Sequence, residues 1–245
     1  MTTPAYYEAV IRLLSEIQRS QAEAIDKAAD LIFSSLVADG VLHIFGSGHS
    51  HSVAEEAFHR AGGLVPVNTM TEPFLSPLTS PKKSGRLERL SGLAAILLDY
   101  HEPRPNEVLI IISNAGINPV PVELALEAKK RELAVIAITS LHHAQAVSSR
   151  HISAKRLFEV ADLVIDNGGE AGDGALTFPG LAAKVGPTSL VAGAFIINSI
   201  VCGVVERFIA NGLTPPIYLS ANLPGGDEHN RQLEAKYKGR IKLLG

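Results

Sequence analysis

Two hydrophobic periods divide the chain. From Tyr6 to Leu36, apolar residues recur every third or fourth position, among them Val10, Leu13, Ile17, Ala24, Ala28, Leu31 and Phe33. That spacing lines one stripe of a helix and predicts one long amphipathic helix, or two collinear ones, over residues 1–38, with Asp39-Gly40 as the stop. From Val41 the pattern changes to short, nearly unbroken apolar runs at 41–45, 64–68, 107–112, 134–139 and 163–166. Runs without alternation suit strands covered on both faces, as in a parallel sheet. Helical spacing returns between them at 53–61, 87–100 and 121–131. This alternation predicts an α/β fold, a three-layer αβα sandwich around a five-stranded parallel sheet in flavodoxin-like order.

Residues 69–85 and 168–187 are rich in Gly, Pro, Ser and Thr and show no period, so they read as long functional or mobile loops. The apolar stretch 189–209 is interrupted by Asn198, Ser199, Glu206 and Arg207, which marks a buried or interface helix rather than a membrane span. The expected organisation is a helical segment 1–38, a domain 39–211 and a tail 212–245 that packs on the domain or on a partner subunit.

Composition narrows the classes of function. The 245 residues are 46% apolar and 19% charged, with a net charge of -3, which favours neither nucleic acid nor a membrane surface as partner. No basic stretch leading into an apolar core opens the sequence, so no secretory signal is expected. The single cysteine, Cys202, excludes an intrachain disulfide and points to a cytoplasmic setting; inside an apolar helix it reads as a small core residue.

Candidate chemistry sits where strands end. The run 41–45 breaks into Gly46-Ser47-Gly48-His49-Ser50-His51 before a helical pattern, and the run 107–112 into Ser113-Asn114-Ala115-Gly116-Ile117-Asn118 before another. A Gly/Ser loop opening a helix suits an anion, because the first helical N–H groups lack partners and the dipole favours negative charge. Strand-to-helix turns also favour Gly, Ser and Asn without binding anything. The pair is more telling than either alone: strands one and three are neighbours in this order, so their loops flank the switch-point crevice where open α/β sheets bind ligands.

With these motifs the chain resembles the sugar isomerase (SIS) domain family. Gly46, Gly48 and Ser50 match its Gly-x-Gly-x-Ser first loop; Ser113 and Gly116 match its second, where Ala115 and Asn118 stand in place of Ser and Thr. Thr139-Ser140 matches the polar end of the family's fourth strand. The motifs together look like a bacterial branch of stand-alone members similar to phosphoheptose isomerase-like proteins. The resemblance implies a phosphorylated sugar as ligand, a homo-oligomer with sites near the subunit interface, and Ser47, Ser50, Ser113 and Asn118 on the phosphate. Gly46, Gly48, His49, His51, Asn114, Gly116, Thr139 and Ser140 complete the implied binding set.

Aldose–ketose isomerisation through an enediol needs a base that moves a proton between adjacent carbons. Glu72 lies beyond the second strand, where family members often carry an acid; Glu55 and Glu56 lie in the helix after the first loop, where they also complement the dipole. His229, oriented by Asp227, is a candidate from the tail, since C-terminal segments of some members reach a site; a solvated tail is the alternative. Phosphoheptose isomerases use zinc held by His and Glu four apart. Glu55 and His59 have that spacing in reverse order at unmatched positions, so no metal and no cofactor is assigned. His43, within a strand, is expected to be structural. Other readings on the same scaffold are a phosphosugar sensor without turnover, or a lyase, etherase or deaminase.

Overall fold

The apolar runs become the strands of one sheet. In the computed structural model, which describes residues 3–244, strands β1 (Leu42–Gly46), β2 (Val67–Thr69), β3 (Val108–Ile112), β4 (Ala134–Thr139) and β5 (Leu163–Asp166) form one parallel sheet in the order β2-β1-β3-β4-β5. Each strand is Val-, Ile- and Leu-rich because both faces are covered. On one face, Leu42, Ile44, Val108, Ile110, Ile136 and Ile165 pack beneath α1 (Thr3–Ser20), α2 (Ala22–Val37), α3 (Ser50–Glu56) and α8 (Ser189–Ala210). On the other, Phe45, Leu109, Ile111, Val135 and Ala137 pack beneath α5 (Leu93–His101) and α6 (Pro119–Lys130), and the short α7 (Leu141–Gln145) follows β4. The alternation of side chains along each strand makes these two separate cores.

Several elements depart from the pattern-based expectation. The amphipathic stretch is two helices, broken at Gln21. The helix expected over 87–100 is split: α4 (Pro81–Leu87) ends early, and Gly92, at φ +88, opens α5. A left-handed residue cannot continue an α-helix, and glycine takes that conformation without a Cβ penalty. Residues 69–85 are not a bare loop, because α4 starts there with Ser80 accepting from the Lys83 N–H and Pro81 in its first turn. Residues 168–187 carry a hairpin, β6 (Gly174–Leu176) with β7 (Val185–Pro187), tied to α1 by Tyr6 Oη donating to the Pro187 carbonyl at 2.8 Å.

Helix α8 is long and apolar enough to cross a membrane by length and composition. Ala192, Ile196, Ile200, Val204 and Phe208 nevertheless form its buried stripe against the core. Cys202 falls on the opposite, exposed side, which corrects its reading as a core residue. The same side borders a groove of about 540 Å³ against α2, lined by Ile25, Ala29, Phe195 and Gly203 among others. The tail packs antiparallel to the segment that leads into β2, with Ile217 opposite Leu64, and continues into α9 (Gly226–Glu234).

Candidate functional site

The crevice begins at the carboxyl ends of β1 and β3. Gly46 pairs in register with Ile112, so Ser47 and Ser113 leave adjacent strands side by side. Position 46 has no room for a side chain: a Cβ there would stand 2.2 Å from the Ser50 carbonyl oxygen, because α3 folds straight back over the strand. Gly46→Ala is therefore expected to push α3 off β1 and to cost about 3 kcal/mol, the upper range for overpacking. A fall in the urea midpoint, with the first loop displaced alongside it, would show this.

The amides of the first loop are largely committed. Gly48 N–H donates to the Leu75 carbonyl at 3.0 Å, and Ser50, His51 and Ser52 N–H donate to the carbonyls of Ser47, Gly48 and His49. Among the described residues, the amides of Ser47 and His49 are left over in this loop. Ser47 is buried and its hydroxyl donates to Glu88 Oε1 at 2.9 Å. His49 is exposed and Ser50 half-buried.

The second loop differs from the expected helix-start cradle. Pro119 and Pro121 have no N–H, and Val120 N–H is taken by the Glu88 carbonyl at 3.1 Å, so the start of α6 offers an anion no amide from its first turn. What this loop presents comes from the turn itself. Ser113 Oγ accepts from Gly116 N–H at 3.3 Å, which leaves its own proton to donate. Asn118 Oδ1 accepts from Arg150 at 2.9 Å, placing a guanidinium at the loop. Asn114, Thr139 and Ser140 are engaged in clasping strand ends together. The Asn114 carbonyl accepts from Thr139 Oγ1 and the Ser140 N–H, its Oδ1 accepts from Asn167, and Ser140 Oγ donates to the Gly169 carbonyl. Thr139 and Ser140 are fully buried.

Beyond β2, Leu75 N–H donates to the Glu72 carbonyl while the Leu75 carbonyl receives Gly48, so Glu72 sits one tight turn from the first loop. Glu72 is half-buried, and this burial raises its carboxyl above the usual carboxylate range, with nearby His51 opposing the effect. His51 and His101 are both buried, and Nε2 of each has no hydrogen-bond partner. His101 Nε2 lies 3.8 Å from Glu72 Oε1. Glu55 faces His51 Nδ1 at 3.3 Å from the solvent side. Glu56 is turned to Arg60 and to Asn198 of α8.

His101 belongs to a buried set that inspection of the sequence missed. His43 on β1 contacts Glu107 Oε2 through Nε2 at 2.8 Å and Asn68 Nδ2 through Nδ1 at 3.0 Å; Asn68 Nδ2 is also 3.1 Å from His101 Nδ1. Burial alone would raise Glu107. Hydrogen bonds from His43 and the Arg104 amide, with Arg240 adjacent, carry its carboxyl down to about 2. Burial, with His43 and Lys242 nearby, pushes His101 down to about 4. The signal available was four polar residues, His43, Asn68, His101 and Glu107, set within apolar strands and helices.

The tail reaches this interior through Arg240 on Glu107, not through His229. His229 Nε2 contacts the Ile217 carbonyl at 2.9 Å, beside Leu64 at the amino end of β2, the opposite edge of the sheet from Glu72. Within one chain it is not brought to the loops. Nor do Glu55 and His59 make a zinc pair: His59 Nε2 is 3.1 Å from Glu234 while Glu55 faces His51. Among the described residues no three His, Cys, Asp or Glu side chains are grouped to hold a metal.

The SIS domain model matches residues 5–140, more than half of the chain. This chain belongs to the SIS domain family. It is 41% identical over 240 residues to the UPF0309 protein of Shouchella clausii, covering 98% of each. It is 39% identical over 242 residues to that of Geobacillus kaustophilus, covering 98% of this chain and 95% of the relative. Among solved structures, the SIS fold here is similar to a phosphoheptose isomerase from Francisella tularensis (TM-score 0.57, 16% identity, 83% of this chain and 96% of that one). It is also similar to the Vibrio vulnificus NanR protein complexed with ManNAc-6P (TM-score 0.55, 13% identity, 98% and 70%).

Proposed function

We propose that this SIS protein binds a phosphorylated sugar at the carboxyl edge of its sheet and isomerises it, aldose to ketose, through an enediol, with Glu72 carrying the proton. The observation that supports this most is Glu72 itself: a half-buried carboxylate, raised by burial, beside two buried imidazoles whose Nε2 atoms are unpartnered. A base whose pKa is lifted toward the working pH accepts a carbon-bound proton more readily than an ordinary surface carboxylate. Deprotonation at the carbon next to the carbonyl gives the enediolate; return of that proton to the former carbonyl carbon, with the hydroxyl proton passed to the former carbonyl oxygen, completes the isomerisation. On this reading the phosphate is held by the Ser47 and His49 amides, the Ser50 and Ser113 hydroxyls and Arg150, which stands on Asn118. Oxygens of the sugar then meet His51 and His101. The assembly is a homo-oligomer, supported by the exposed apolar side of α8 and its groove against α2.

The likeness to a solved SIS phosphoheptose isomerase supports turnover. The likeness to a NanR protein holding ManNAc-6P supports a second reading, a sensor that binds a phosphosugar without changing it. Incubation in deuterium oxide with a panel of pentose, hexose, heptose and N-acetylamino sugar phosphates separates the two. Deuterium at the carbon beside the carbonyl is expected for at least one compound; saturable binding with no label and no product would leave the sensor.

A further inference from the structure

The geometry points to a buried positioning relay, Glu107–His43–Asn68–His101, that holds His101 as a neutral imidazole with its proton on Nε2 and presents that N–H to Glu72. This deepens the isomerase reading, which makes Glu72 the proton carrier, and rests on it for its catalytic meaning. The four groups are 0–4% exposed, and their contacts run without a break from Glu107, which precedes β3 at the amino edge of the sheet, to His101, whose Nε2 stands 3.8 Å from Glu72 at the carboxyl edge.

Proton positions follow from the chemistry of each group. Glu107 is anchored as a carboxylate by the N–H groups of Val41 and Arg104 and by Arg240, so it only accepts, and His43 Nε2 carries the proton between them. His43 Nδ1 then offers a lone pair. Asn68 Nδ2 lies within hydrogen-bond reach of both Nδ1 atoms, and an amide NH2 has two hydrogens to give, one for each ring. A His101 whose Nδ1 accepts carries its proton on Nε2. The ring stays neutral because burial, with the Lys242 ammonium nearby, opposes a second proton. The groups facing Glu72 are thus the His101 N–H from α5 and His51 from α3.

At 3.8 Å the His101–Glu72 contact is longer than a hydrogen bond. Contacts of this kind are commonly long in a free site and shorten when ligand is bound. Closing it favours the ionised carboxylate, so His101 works through Glu72 and is a positioning residue.

The test reads Glu72 directly, whether or not the protein turns over a sugar. Carbon-13 titration of the Glu72 carboxyl, assigned by its disappearance in Glu72→Gln, is expected to move up in His101→Leu by a fraction of the roughly one pH unit that a closed hydrogen bond to a charged group would give, because the contact stands at 3.8 Å in the free site. His101→Gln, whose side-chain amide supplies an N–H in place of Nε2–H, is expected to restore most of the shift. Nitrogen-15 spectra of the unsubstituted protein are expected to show His101 neutral and protonated at Nε2 from pH 5.5 to 8, with the His43 proton facing Glu107 on Nε2. A His101 proton on Nδ1, or a doubly protonated His43, which requires the Asn68 amide turned over, overturns the relay. So does a Glu72 titration that is the same in all three forms. Deuterium exchange that persists in Glu72→Gln would instead remove Glu72 as the proton carrier and leave the spectra to decide the relay.

Discussion

Glu72→Gln is expected to slow solvent-deuterium exchange into a sugar phosphate by about 10³-fold, within the range for loss of a general base, while the ligand's Kd changes by less than about threefold. The substitution keeps the shape of the side chain and removes the lone pair that takes the proton. Binding is retained because the phosphate contacts come from other strand ends. The pH profile sharpens the expectation. Burial raises the Glu72 carboxyl, so the acid limb of exchange lies above the usual carboxylate range. Activity should climb with pH through that raised value, because the ionised form is the base. An acid limb at the value of an exposed glutamate would remove the burial argument. Equal losses in Glu55→Gln and Glu56→Gln would spread the role over three acids. Those two are expected to stay within about threefold, since Glu55 is exposed and Glu56 is paired to Arg60.

Acid should weaken the fold in two overlapping steps, both from the buried relay. His101 titrates near 6.5 in an unfolded chain and near 4 here, so below pH 6.5 the unfolded state takes up a proton that the folded state refuses. Stability therefore falls as the pH drops from 6.5 to about 4, by about 3 kcal/mol in total. Glu107 acts in the next window. Its carboxyl is held at about 2 against 4.5 when unfolded, so its contribution is complete above 4.5 and is lost as the pH falls toward 2, again by about 3 kcal/mol. Urea unfolding from pH 7.5 to 4 would measure the first step. His101→Gln is expected to flatten the curve between 6.5 and 4, because a glutamine binds no proton in either state. A curve equally steep in that variant would assign the acid sensitivity to other groups.

The sheet was legible because burial on both faces writes itself as unbroken apolar runs. Runs at 134–139 and 163–166 coincide with β4 and β5, and the others fall within a few residues of their strands. Hydrophobic period is a local property, so residues along one strand are enough to reveal it. The Gly46 loop was visible for a similar reason: a close approach of helix to strand leaves no room for a Cβ, and the need for glycine is recorded at one position. The break at Gly92 and the Ser80-Pro81 start of α4 were written there too, but lay inside stretches that looked continuous or featureless.

What the sequence by itself determined was the layered αβα plan, the two loops at the switch point and the family they belong to. Only the tertiary structure decided which polar groups those loops still have free. Hydrogen-bond satisfaction joins residues far apart in the chain: Glu88 occupies Ser47 and the Val120 amide, Asn114 and Ser140 close on each other, and Arg240 reaches Glu107. The start of α6 had the look of an anion cradle in one dimension and has no first-turn amide to give in three. His229 was a candidate because C-terminal segments of some family members reach a site, and within one chain it stands at the far edge of the sheet. His43, which by pattern was one polar interruption in a strand, becomes one of four groups in a chain leading toward Glu72. Its partners lie 25 and 64 residues away, and only strand pairing brings them within 3.0 Å.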